Sequence, residues 1–104
     1  MDSDKSDILK IVSEFLETLQ RSDVQLEAAY LYGSHATGRA RMDSDIDVAL
    51  VSSVFSDDSV GQEKVIDALL LSDTRIETVR FLPDEFRDEN PLVWEIKNSG
   101  IKLL

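Results

Sequence analysis

At 104 residues, with 42% hydrophobic and 31% charged side chains, the chain reads as one globular domain with a single core of a few strands and helices. Its lack of cysteine excludes disulfides and cysteine-bound zinc, and no apolar run approaches the roughly 18 residues that a membrane span requires. The formal charge of −10 disfavours long nucleic acid as a partner, because such binding rests on Lys and Arg neutralising phosphates.

The chain opens on an acidic stretch, Met1 to Asp7, the opposite of an export or mitochondrial leader, so the cytoplasm is the expected compartment. Ile8, Ile11, Val12, Phe15, Leu16 and Leu19 then recur at helical spacing and predict an amphipathic helix. Asp4 or Ser6 is the expected cap, with Asp4 and Asp7 at the positive end of the macrodipole. This stripe packs a core and carries no chemistry. Arg21-Ser22-Asp23 breaks the pattern, and Val24 to Tyr32 leads into a first strand.

The stretch from Tyr30 to Val51 organises the rest. It reads as strand, turn at Gly33-Ser34, basic loop, then a second strand beginning Asp45-Ile46-Asp47. Residues two apart in a strand share a face, so Asp45 and Asp47 project together while Ile46, Val48 and Leu50 point the other way. Paired carboxylates repel, and a fold that holds them together usually places a cation between them. Oxygen-only donors suit a hard ion such as magnesium, which in turn holds substrate phosphates. Gly33 lets the backbone approach a ligand closely, and the Ser34 hydroxyl and neighbouring amides suit phosphate. Arg39 and Arg41 carry guanidinium forks that match phosphate oxygens, or are solvated loop cations. His35 is the single histidine and either touches a phosphate or acceptor or has no role in the chemistry.

Beyond the motif, Ser52 to Asp58 is a polar loop, and Ser59 to Gln62 has capping-box spacing. Val65, Ile66, Leu69 and Leu70 are expected on one face of a second helix. Arg75 to Phe81 alternates as a third strand. A short helical segment starts at Leu82-Pro83, and Asn90-Pro91 caps and opens a helix through Asn98. Gly100 stops it, and Ile101 to Leu104 forms a short edge strand. Trp94 is assigned to core or interface. The order predicts an α/β fold with a small mixed sheet and helices packed mainly on one face, in a single domain over residues 1–104.

Gly33-Ser34, ten residues, then Asp45-Ile46-Asp47 resembles the signature of the nucleotidyltransferase superfamily related to DNA polymerase beta. The fuller run, Gly33-Ser34-His35-Ala36-Thr37-Gly38 with Ser44-Asp45-Ile46-Asp47-Val48, is most similar to its minimal nucleotidyltransferase (MNT) branch. The resemblance implies a magnesium-dependent transfer of AMP from ATP, with a two-ion site on Asp45 and Asp47. It also implies a third carboxylate on a neighbouring strand, as metal ligand or general base. Glu77 is the in-strand candidate, with Asp73 as fallback. One difficulty is that Val79 and Phe81 share the parity of Glu77, so a helix must cover the far end of that face or the strand must shift. Members of this size pair with an all-helical HEPN toxin, which implies an antitoxin role, AMPylation of that partner and a possible homo- or hetero-oligomer. Two alternatives stay open: transfer to a small molecule, as in aminoglycoside nucleotidyltransferases, and a non-catalytic nucleotide-binding module that masks its partner.

Overall fold

The stripe from Ile8 to Leu19 lies on a long first helix, α1 (Asp2–Arg21), in a computed structural model that describes residues 2–41, 43–56 and 58–104. Because α1 starts at Asp2, Ser6 lies inside it and does not cap it; the Asp4 side chain lies outside the described residues. Strand β1 (Ala28–Tyr32) follows, then a single helical turn, α2 (Ser34–Thr37), and strand β2 (Ile46–Val51). A 3-10 turn at Ser53–Ser56 leads to α3 (Asp58–Leu70) and β3 (Ile76–Phe81). After a second 3-10 turn at Pro83–Glu85, α4 (Pro91–Ser99) and the two-residue strand β4 (Ile101–Lys102) end the fold.

The strands form one mixed sheet in the order β3-β2-β1-β4. β1 is antiparallel to both β2 and β4, whereas β2 and β3 run parallel through the α3 crossover. A parallel pair requires such a crossover, and a helix supplies it. This is the expected mixed α/β architecture, and the edge strand at Ile101 is in place.

Alternation along β2 builds two cores. Ile46, Val48 and Leu50 join Val12, Phe15 and Leu19 of α1 and Val65 and Ala68 of α3 on one face of the sheet. Ala49 and Val51 join Phe81 of β3 and Val93 and Ile96 of α4 on the other. The second face is therefore covered as well, by a helix of nine residues. Asn90 accepts the Leu92 amide at 2.9 Å and Pro91 opens α4, as the sequence predicts.

Two expectations need correction. On α3 the buried positions are Gly61, Val65, Ala68 and, in part, Leu69, whereas Leu70 is 78% exposed and Ile66 is exposed too. Gly61 lets the helix close on the 3-10 turn, where a Cβ would collide with the Phe55 ring, so the buried stripe is offset from the largest aliphatics. Trp94 is 55% exposed and belongs to neither core cluster, so of its two assignments, core or interface, the core is ruled out. No described helix is long and apolar enough to cross a membrane.

Candidate active site

The acidic site forms where β1 ends and where β2 and β3 begin. Asp47 is the register partner of Glu77 on parallel β3 and of Tyr32 on antiparallel β1. Register partners point to the same face of a sheet, so these three side chains stand side by side on the α4 face. Asp45 lies one residue before β2 and is exposed, so it is a strand-entry residue and not a strand residue. Its charge still reaches Asp47. Burial pushes the Asp47 carboxyl above the ordinary carboxylate range, and the charges of Asp45 and Glu77 push it further, with His35 opposing.

The parity difficulty at Glu77 resolves through α4. Phe81 lies beneath that helix, and Val79 packs against the same cluster. Phe86 fills the remaining space, with ring centroids 5.4 Å from Tyr30 and 5.3 Å from Phe81. A helix covers the far end of the face, and the near end at Glu77 stays exposed. The fallback carboxylate is engaged elsewhere. Asp73 accepts the Arg75 guanidinium at 3.0 and 2.9 Å and the Arg75 amide at 2.9 Å, which holds its carboxyl down to about 2.

Gly33 is packed directly on this site. Its φ of +76° and ψ of −152° belong to a region that side chains rarely adopt, and a Cβ there would collide with Oδ2 of Asp47. The following chain makes one helical turn, closed by Gly38 in the left-handed conformation with φ of +78°. The amides of Ala36 and Thr37 turn back to the Gly33 carbonyl at 3.1 and 3.2 Å. The amides of Ser34 and His35 find no acceptor among the described residues, as expected at the start of a helical turn. They directly follow Gly33, which is pressed on the Asp47 carboxylate, and Ser34 itself is half-buried. Arg39 and Arg41 are exposed on the loop between this turn and Asp45.

The donor chemistry fits a hard divalent cation. Asp45, Asp47 and Glu77 supply only oxygen, and the charge acting on Asp47 is mostly uncompensated carboxylate. Among the described residues, no group of three His, Asp or Glu side chains is gathered closely enough to form a ready-made cluster. The fit is therefore one of donor type and adjacency.

Two residues enter the site that the sequence does not single out. Burial raises the Tyr32 phenol above its ordinary value, and the charges of Asp47, Glu95 and Glu77 add to this. Glu95 comes from α4, so only the tertiary fold reveals it. Tyr32 was within reach of sequence reasoning, since it directly precedes Gly33 in the motif.

The profile of the polymerase beta nucleotidyltransferase family matches residues 13–104. The chain belongs to this family. A crystal structure of a Sulfolobus solfataricus protein, provisionally named a nucleotidyltransferase, superposes with a TM-score of 0.66 over 94% of this chain and 80% of that one. At 19% identity that likeness speaks for the nucleotidyltransferase fold alone. No curated protein sequence is significantly similar to the chain.

Proposed function

We propose that this nucleotidyltransferase-family protein moves AMP from ATP to a hydroxyl group in a magnesium-dependent reaction. The observation that carries the reading is the register of Asp47 with Glu77 beneath the Gly33 turn, with Asp45 at the strand entrance. Asp45, Asp47 and Glu77 would hold the cation. When bound, it would neutralise the triphosphate and the charge that develops on the leaving pyrophosphate. The amides of Ser34 and His35 and the Ser34 hydroxyl would orient the phosphates, and Arg39 and Arg41 would meet them from the loop. Glu77 would complete the ligand set or accept the acceptor's proton.

The acceptor we favour is a hydroxyl on a helical HEPN-type toxin, which AMPylation silences. Support comes from the openness of the site: Asp45 and Glu77 are exposed, so a partner protein can supply the missing wall. The charge of −10 argues against long nucleic acid in that place. The protein then acts as a protein adenylyltransferase and antitoxin.

The test is the double variant Asp45→Asn with Asp47→Asn. Isothermal titration should show magnesium-dependent ATP binding in the wild type and none in the variant, with circular dichroism unchanged. Mass spectrometry of a co-expressed partner should show an AMP adduct only with the wild type. Equal magnesium-dependent ATP affinity in both proteins refutes the site. A variant that protects cells as well as the wild type refutes the catalytic account in favour of masking.

A further inference from the structure

We infer that His35 is a positioning residue: its imidazole Nε2–H donates to the carbonyl oxygen of Ser44 and so fixes the chain that delivers Asp45 beside Asp47. The contact measures 3.2 Å and joins α2 to a residue nine positions on. A carbonyl oxygen only accepts, so Nε2 carries the proton. This role differs from phosphate or acceptor contact, because the nitrogen in question is already committed to the backbone.

The loop shows why one contact matters. Arg39 is tied to α2 through its amide, which reaches the Ser34 carbonyl at 2.9 Å. The next backbone tie is at the first residue of β2, where the Ile46 amide reaches the carbonyl of Arg75, just before β3, at 2.8 Å. Between them, and apart from the His35 contact, Arg41 and Ser44 bond only to each other among the described residues: the Arg41 amide to the Ser44 hydroxyl at 2.8 Å, and the Ser44 amide to the Arg41 carbonyl at 3.0 Å. Arg39, Arg41 and Asp43 are exposed, and Ala40 is half-buried. Among the described residues, His35 makes the one hydrogen bond that joins this closed turn to the rest of the fold. Ser44 directly precedes Asp45, so the bond sets where that carboxylate enters the site. The ring also stands where its charge acts on both Asp47 and Asp73, which places it amid the acidic groups.

The inference rests on the proposed cation site, yet it has readouts that need no transfer reaction. His35→Ala removes the donor. His35→Gln returns an N–H close to the Nε2 position, whereas His35→Asn places its N–H nearer Nδ1. Hydrogen exchange at the Ser44 amide should quicken about tenfold in the alanine and asparagine variants and return toward wild type in the glutamine variant. The Ile46 amide, held by Arg75, serves as the internal control. Manganese titration, followed by electron paramagnetic resonance, should show cation affinity weakened about three- to tenfold in the same order. Where transfer is measured, kcat should fall more than KM for ATP. Unchanged exchange in His35→Ala, or asparagine matching glutamine, overturns the contact. Faster exchange with unaltered manganese affinity makes the bond merely structural and overturns the positioning role. Loss of the AMP-transfer reading alone leaves the exchange and manganese results standing.

Discussion

The two faces of β2 differ as much as any two regions of this molecule. Ile46, Val48 and Leu50 lie fully buried under α1 and α3. Asp47, Ala49 and Val51 alternate with them along the same strand, but only the latter two lie beneath α4. α1 has 20 residues and α4 has 9, and the shorter cover leaves the Asp47 end of the second face to water. Parity along one strand thus separates stability from chemistry. The closed face holds the fold by excluding water, and the open end can hold charged groups together because water still reaches them.

The sharpest way to break this comparison is to damage the closed face alone. Phe15 is fully buried there, and Phe15→Ala should cost about 3–5 kcal/mol, much of the stability of a small domain. Urea denaturation measures it, and a loss below that range would mean the face repacks. Gly33→Ala tests where the open face meets the turn. The positive φ and the collision with the Asp47 carboxylate should together cost about 1–3 kcal/mol and weaken manganese binding. A variant that melts and binds like the wild type would show that the turn is not pressed on Asp47.

Asp47→Asn should act in the opposite direction. The Asp47 carboxyl is raised, so its contribution to stability is present below the ordinary carboxylate value and lost as pH rises through the folded value. At neutral pH the charge therefore works against the metal-free fold. With chelator present, the asparagine variant should melt about 1–4 °C above the wild type, a small effect because water screens the group. Saturating magnesium should reverse the order. Asp73 provides the smallest effect, with the other sign. Held at about 2 by Arg75, it contributes stability above the ordinary value of 3.8, and that contribution is lost as pH falls through about 2. Between those values, thermal melts of Asp73→Asn should show a shallower acid loss than the wild type.

Much of this division is legible in the sequence. The stripe from Ile8 to Leu19, the parity of Ile46, Val48 and Leu50, and the Asn90-Pro91 start each follow from local spacing. Gly33-Ser34 and Asp45-Ile46-Asp47 carry the family. The rest depends on distance in the chain. The α2 turn has four residues, too few for any periodicity to appear. Glu77 has an ambiguous face until α4, which comes later in the chain, covers Val79 and Phe81. Glu95 has no signature, because its influence on Tyr32 arises only when α4 is docked. On α3, hydrophobicity favours Ile66 and Leu70, yet the buried positions include Gly61, pressed on Phe55 of the 3-10 turn, and Ala68.

The parallel pairing of β2 with β3 has a kinetic consequence. The antiparallel β1–β2 pair joins neighbouring strands, but Glu77 reaches Asp47 only after the whole α3 segment has crossed over. A chain that has made the first pairing and not the second holds Asp47 without Glu77. If these carboxylates hold the proposed cation, affinity for it would arrive with the long-range step, and a divalent ion would favour the completed fold over such an intermediate. Refolding in magnesium should leave formation of the β1–β2 pair unaltered and slow the opening of β3.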